Sequence, residues 1–232
     1  MNETLIDYVD TQRDLGVIID SKLNWNSQHN MILSNAISKL GILKRTCHFT
    51  TDVRQKRSFY LAIVRSLFEH CSTIWSPQYK TNVSKFSSLQ RRAMKWINGE
   101  PFASYTDEKY NELLRKHQIL PMKSKFIYND LVMFYKIVNK LVPVEIPGYI
   151  TVCEPRNSKL TRSTASIHNS NDTSKFSCSV RPNCDAFKHS FFYRTMLRWN
   201  HLPLDIRSAE NLLKFKSMLK QIVWSTDTEW PD

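Results

Sequence analysis

The chain has 232 residues, of which 41% are hydrophobic and 23% charged, and its formal net charge is +12. This composition is typical of a folded protein with one or two domains and argues against a disordered chain. Four scattered glycines are too few for a glycine-rich phosphate loop, which argues against kinase, P-loop and Rossmann folds. Five cysteines at irregular spacing do not indicate a disulfide framework.

Neither a secretory signal nor an apolar run of about 18 residues is visible in the sequence. We therefore expect a soluble, intracellular protein, either nuclear or cytoplasmic, that does not enter a membrane.

A first strand, Leu15 to Ile19, is predicted very near the N-terminus. A strand needs a partner for its backbone groups, and the preceding residues offer only one weak candidate, Thr4 to Val9. The pattern predicts a short N-terminal β-hairpin remnant of a sheet that this chain does not fully contain.

Most of the positive charge lies between residues 39 and 95, which hold 12 basic and 2 acidic side chains, a net charge of +10. Three helices are predicted in this region. The first covers residues 26–49 and buries Ile32, Ala36, Leu40 and Leu43, with Lys39, Lys44 and Arg45 off that stripe.

The second predicted helix is capped by Thr51 and runs from Asp52 to about Ser72. Its expected buried residues are Phe59, Ala62, Ile63, Leu67 and Ile74. The third is capped by Asn82, runs from Val83 to Ile97 and stops at Gly99 and Pro101. Its apolar side is formed by Val83, Phe86, Leu89, Ala93, Trp96 and Ile97.

Two groups of basic residues in these helices are candidates for nucleic-acid binding. Arg54, Lys56 and Arg57 occupy the first turns of the second helix, where a phosphate would relieve their repulsion by the helix dipole and bond free N–H groups. On the third helix one face carries Lys85, Ser88, Arg92 and Lys95, flanked by Arg91. Donors in this arrangement suit a phosphate backbone. The alternative is an ordinary solvated basic surface, which the sequence alone does not exclude.

The remaining pattern is again mainly helical. A short helix is predicted from Thr106 or Asp107 to His117, and a longer one from Pro121 to about Leu141. Residues 151–190 hold 16 Ser, Thr or Asn among 40 and predict a loop, a ragged hairpin or a mobile linker. A helix then runs from Phe187 to Asn200. Ser208 caps a last helix with the apolar stripe Leu212, Phe215, Leu219 and Ile222, before a frayed tail, Ser225 to Asp232.

The sequence gives little support for a catalytic site or a metal site. No Asp-Asp pair occurs, and the spacing of Asp7, Asp10, Asp14 and Asp20 fits turns rather than a metal site. A zinc site would need tighter ligand spacing than Cys153, Cys178, Cys184 and His189 provide. The neighbours Cys47-His48 and His70-Cys71 point apart on a helix. We therefore predict no catalytic residue, no metal ligand and no cofactor in this chain.

Several motifs in series resemble the C-terminal part of non-LTR, jockey-like retrotransposon reverse transcriptases, and they span most of residues 14–220. The opening segment matches at Leu15-Gly16-Val17, Ile19-Asp20, Leu23 and Trp25, with His29 one position late. Further matches are Glu69-His70-Cys71-Ser72, Trp75-Ser76-Pro77, Leu89-Gln90-Arg91-Arg92, Ser190-Phe191-Phe192, Arg194-Thr195, Trp199-Asn200, Leu202-Pro203, Ile206-Arg207, Phe215-Lys216 and Leu219-Lys220.

This resemblance implies a division into the end of the palm at 1–25, a basic three-helix thumb at 26–100, a helical connector at 101–150, a polar linker at 151–186 and a C-terminal helical pair at 187–224. It also implies binding of an RNA/DNA template–primer duplex. The family's catalytic Asp residues and their Mg²⁺ have no counterpart here, so we expect a fragment that does not polymerise alone, either a remnant of a decayed element or a gene-model fragment.

Two other functions are alternatives on the sequence alone. A non-catalytic helical protein-interaction module, derived from a mobile element, could recruit a partner at an exposed edge strand. A metal-dependent hydrolase would need a ligand set that the sequence does not offer.

Overall fold

The computed structural model describes residues 8–48, 52–99, 106–153, 174–224 and 230–231. The protein is mainly helical, with a two-stranded antiparallel hairpin near the N-terminus, as the sequence predicts. The chain divides into two compact units, Met1–Phe126 and Ile127–Asp232. None of the helices among the described residues is long and apolar enough to span a membrane.

The N-terminal hairpin pairs strand β1 (Thr11–Asp14) with strand β2 (Val17–Asp20). Leu15 and Gly16 both have positive φ, 45° and 85°, as a two-residue hairpin turn requires. The predicted partner Thr4 to Val9 is therefore wrong in its described part, since Tyr8 and Val9 are not in a strand, and residues 4–7 lie outside the described residues. The predicted strand Leu15 to Ile19 begins too early, because Leu15 and Gly16 form this turn.

Helix α1 (Asn26–Thr46) confirms the first predicted helix and its buried face. Its four predicted apolar positions are all buried: Ile32, Ala36, Leu40 and Leu43. Gln28 is also buried, and its Oε1 accepts a hydrogen bond of 2.8 Å from the Ile18 N–H, which ties the hairpin to the helix.

The second helical stretch consists of α2 (Val53–Phe59), a π-helical segment (Tyr60–Arg65) and α3 (Ser66–Glu69). Asp52 caps its N-terminus, since the Asp52 carboxylate accepts a hydrogen bond from the Arg54 N–H at 2.8 Å. The predicted cap, Thr51, lies outside the described residues. The stretch ends before the predicted Ser72.

The predicted buried face of this stretch is wrong. Phe59 and Ile63 are 38% and 36% exposed, whereas Tyr60, Val64 and Phe68 are fully buried. Both stripes have a spacing of four residues and differ by one position, so periodicity alone does not choose between them. Of the other predicted core residues, Leu67 is half-buried, and Ala62 and Ile74 are exposed.

Two further helices follow, α4 (Ser72–Trp75) and α5 (Lys80–Asn98). Asn82 does not cap α5, since the helix begins at Lys80; it is buried instead, and its Nδ2 donates to Asn26 Oδ1 at 3.2 Å. Gly99 ends α5 with φ 67°, as predicted, and Pro101 lies outside the described residues. Of the predicted apolar side of α5, Val83 and Trp96 are half-buried, and four residues are buried: Phe86, Leu89, Ala93 and Ile97.

The core of the first unit is aromatic. Phe86 packs against His29, Phe68, Trp75 and Phe126, with ring centroids 5.4 to 5.9 Å apart. These contacts gather α1, α3, α4, α5 and the start of α7 (Met122–Val138) around one ring. Helix α6 (Asp107–Lys116) confirms the predicted short helix, and the Thr106 hydroxyl caps it by accepting from the Lys109 N–H.

In the second unit, β3 (Ile150–Val152) pairs with β4 (Phe176–Cys178) in a small antiparallel hairpin. Of the three structures predicted for residues 151–190, which were a loop, a ragged hairpin or a mobile linker, the hairpin is the one observed. Residues 154–173 lie outside the described residues. Four helices follow: α8 (Asp185–Lys188), α9 (Phe191–His201), α10 (Leu204–Arg207) and α11 (Leu212–Trp224).

Helix α11 begins later than predicted. The Asn211 side chain, not that of Ser208, accepts from a backbone N–H of its first turn, at 2.9 Å from Lys214 N. Of the predicted stripe, Phe215 and Leu219 are buried. The tail predicted to fray lies mostly outside the described residues.

A buried ionic cluster lies in the second unit. Asp130 is completely buried and accepts from both Arg194 and Arg198, with N–O distances of 3.0 to 3.2 Å. Arg194 binds both carboxylate oxygens, the two-bond geometry that is strongest for a guanidinium. The cluster joins α7 to α9.

Candidate nucleic-acid interface

The outer face of α5 carries the basic residues that the sequence placed there. Lys85, Ser88 and Arg92 are exposed and Lys95 is half-buried. Steps of three and four residues keep them on one side of the helix. The core residues of α5 lie on another side, so packing holds this basic face outward.

Helix α1 adds a basic residue that sequence reasoning did not assign to the site. Burial lowers the pKa of Lys44, and the nearby positive charge of Arg92 lowers it further. Neither Lys44 nor Arg92 forms an ion pair with a described residue. The two helices thus hold like charges together without a compensating carboxylate among the described residues. No sequence signal indicates this pairing, because it depends on how α1 packs against α5.

Lys56 of α2 reaches the same helix. Its Nζ lies 5.9 Å from the centre of the Trp96 ring, within the range of a cation–π contact. Trp96 follows Arg92 by one helical turn, so Lys56 extends the basic face toward α2. We call the residues gathered here the α5 basic surface: Lys44, Lys56, Lys85, Arg92 and Lys95.

Arg91 lies on the opposite flank of α5 and has structural contacts. It forms an ion pair with Asp107, and its guanidinium lies 4.6 Å from the centre of the Tyr110 ring. The Tyr110 hydroxyl in turn donates to Gln90 Oε1 at 2.9 Å. These contacts hold α6 against α5, and the predicted site residue Arg91 is not part of the α5 basic surface.

Arg54 and Arg57 lie apart from Lys56, although the three are neighbours in sequence. At roughly 100° per residue, Lys56 projects about 160° away from Arg54 on the helix. Arg57 Nε donates instead to the carbonyl of His117 at 2.9 Å. Since Asp52 already accepts from the Arg54 N–H, the N–H groups expected to be open to a phosphate are partly engaged.

Arg54 and Arg57 line a cleft of about 420 Å³. Its other lining residues are Val53, Lys116, His117 and Gln118, so the cleft joins the start of α2 to the end of α6. Burial lowers the pKa of His117, and Lys116 and Arg57 lower it further. The ring's Nε2 lies 2.9 Å from Asn98 Oδ1. The Asn98 amide nitrogen donates to Met94, so Nε2 is the protonated nitrogen of the neutral ring.

The other histidine and cysteine candidates have no cluster around them. Among the described residues, no group of three or more His, Cys, Asp or Glu could hold a metal ion. His70 Nε2 lies 3.1 Å from the carbonyl oxygen of Leu15 and 3.6 Å from Cys71 Sγ. The prediction that these two side chains point apart is therefore wrong, because His70 and Cys71 lie between α3 and α4 rather than within a helix. The pair links the hairpin turn to the end of α3.

Many residues that carry the resemblance to retrotransposon reverse transcriptases lie in the core. Val17, His29, Trp75, Gln90 and Trp199 are all buried, as are several others: Leu89, Arg194, Leu202, Ile206, Arg207, Phe215 and Leu219. Many motif residues are thus core positions, whereas the α5 basic surface consists mainly of residues outside the motifs. Comparison with protein-family models, curated proteins and solved structures found no significant match for this chain.

Proposed function

We propose that this protein binds the sugar–phosphate backbone of an RNA/DNA template–primer duplex through the α5 basic surface. In this role it corresponds to the thumb and following helices of a non-LTR reverse transcriptase, without the residues for polymerisation. The observation that carries the proposal is the proximity of Lys44 and Arg92, two cations on different helices without a carboxylate partner among the described residues.

Electrostatics support an anionic polymer as the partner. Like charges held together destabilise the free protein slightly, and an anion between them reverses the sign of that interaction. Lys85 lies two turns before Arg92 on the same face, a spacing of about 10 Å along α5. Cations spread over this distance suit successive phosphates better than one small anion.

The test is a salt titration with a fluorescently labelled RNA–DNA hybrid duplex. Anisotropy should report sequence-independent binding whose log K falls linearly with log[salt]. Replacing Lys85, Arg92 and Lys95 together by Gln should flatten this slope by roughly 2 to 3, because each phosphate contact contributes about 0.9.

A matched control removes three positive charges elsewhere. Arg181, Lys188 and Lys214 are exposed and lie in the second unit. Their simultaneous replacement by Gln should leave the slope within error of the parent's. Absence of binding at low salt, or an equal loss of slope in both triple variants, would contradict the proposal.

Strand addition at the hairpin, the alternative function, has less support. All four residues of β1 are exposed, and its sequence Thr-Gln-Arg-Asp is polar and charged. Charged edge strands discourage pairing with another chain. Nucleic-acid binding therefore remains the better-supported function.

A further inference from the structure

The cleft between α2 and the end of α6 carries a concentrated positive charge. Arg54, Arg57 and Lys116 all line it, and none of its lining residues is acidic. None of these three cations forms an ion pair with a described residue. We propose that this cleft binds a phosphate monoester, either the terminal phosphate of a nucleic-acid strand or that of a free nucleotide.

Shape favours a terminal phosphate over a phosphate within a duplex. The cleft is concave, and about 420 Å³ is in the size range of small-molecule sites. A chain end can enter such a recess, whereas a phosphate in the middle of a duplex contacts a protruding surface. A monoester also carries up to two negative charges near neutral pH, against one for a diester, which suits the three cations that line the cleft.

The lining residues indicate what is recognised. Two guanidinium groups offer planar arrays of N–H donors, the geometry that pairs best with phosphate oxygens. Arg57 uses Nε for the His117 carbonyl, which fixes its side chain and leaves its terminal nitrogens for a ligand. Apart from the His117 ring, which is held by Asn98, the described lining residues provide no aromatic face for a base, so the cleft should select the phosphate rather than the nucleobase.

This site is separate from the α5 basic surface, because Arg54 and Arg57 project from a different side of α2 than Lys56. Its ligand could be bound even if the protein had no affinity for duplex backbones. The two proposals therefore succeed or fail independently.

The experiment compares three probes: a short single strand with a 5′-phosphate, the same strand with a 5′-hydroxyl, and adenosine 5′-monophosphate. If a strand end is the ligand, the phosphorylated strand should bind roughly tenfold or more tightly than the hydroxyl strand. If a free nucleotide is the ligand, the monophosphate should bind as tightly as the phosphorylated strand. Isothermal calorimetry measures all three affinities.

A variant with Arg54→Gln and Lys116→Gln should lose the preference for phosphate while it keeps the Arg57–His117 hydrogen bond. The control variant, Arg181→Gln with Lys188→Gln at exposed positions of the second unit, should keep it. The His117 ring signals in proton NMR give a second readout: bound phosphate should raise the pKa of His117, because it offsets the charges of Lys116 and Arg57. Equal affinity for the two strands together with no binding of the monophosphate, or a phosphate preference that survives the double variant, would overturn the proposal.

Discussion

Arg92 of α5 lies close enough to Lys44 of α1 to lower that residue's pKa. Because this interaction between like charges is repulsive, the free protein should be slightly more stable without it. Arg92→Gln should raise the free energy of unfolding by roughly 0.5 kcal/mol or less, the size of surface charge–charge interactions. Urea denaturation measures this change, and hybrid-duplex binding should weaken in the same variant.

The combination of the two effects is diagnostic. If a basic residue only solubilised the surface, its replacement would not both raise the stability and weaken the binding. Ser88→Ala, on the same exposed face, serves as a control that removes no charge. If Arg92→Gln lowered the stability instead, the Arg92 guanidinium would make a favourable contact in the folded protein.

Asp130 should be among the least replaceable residues of the second unit. Asp130→Asn removes the charge that balances Arg194 and Arg198, which are 2% and 5% exposed. Breaking a buried ionic cluster in this way costs about 3–5 kcal/mol. Thermal unfolding followed by circular dichroism should show a large loss of stability, or failure to fold.

The control for this prediction is Asp205→Asn. Asp205 is an exposed acid in α10 of the same unit. Its replacement should change stability by no more than about 0.5 kcal/mol. Similar losses from both variants would mean that the cluster is not the source of the effect.

His29 should make the stability of the protein depend on pH. Burial lowers its pKa below the ordinary value of 6.5, its hydrogen bond to the Trp75 carbonyl opposes this shift, and Lys85 adds to it. The unfolded chain therefore takes up the proton at higher pH than the folded protein does. The stabilising contribution is complete above about pH 6.5 and is lost as the pH falls below it.

Urea denaturation between about pH 5 and pH 8 measures this dependence. His29→Gln should flatten the acidic part of the stability curve, since Gln cannot be protonated there and can still donate to the Trp75 carbonyl. His201→Gln, at an exposed position, should leave the curve unchanged. An unaltered acidic slope in His29→Gln would assign the effect to other groups.

Gly99 and Gly148 form a matched pair for testing the end of α5. An added Cβ would meet no atom within 4 Å at either site, but only Gly99 has a positive φ. Gly99→Ala should cost about 1 kcal/mol because a side chain strains the left-handed conformation. Gly148→Ala should be close to neutral. Differential scanning calorimetry of both variants checks the prediction, and equal melting temperatures would contradict it.

Helix existence was predictable from sequence because amphipathic spacing is a local property. The four inward positions of α1 follow directly from residue order. The buried face of a helix was harder to predict where two apolar stripes are equally regular. In the second helical stretch, Tyr60 and Phe59 begin equally good stripes, and packing against the other helices selected the one that begins at Tyr60.

The basic site was predictable only within one helix. The shared face of Lys85, Arg92 and Lys95 follows from helical periodicity, whereas the approach of Lys44 depends on tertiary packing. Sequence also grouped Lys56 with Arg54, although neighbouring residues on a helix point in different directions. The buried pairing of Asp130 with Arg194 and Arg198 spans more than 60 residues and leaves no local signal.

The π-helical segment Tyr60–Arg65 also bears on which changes of length this protein can tolerate. A π-helix spans five residues per hydrogen bond rather than four, so it holds about one more residue per turn than an α-helix does. A chain that lacks one exposed residue there, such as Ala62, can close the same turn as an ordinary α-helix. Phe68 would then keep its direction into the core, whereas deletion of a residue within α5 would rotate every later side chain of that helix by about 100°.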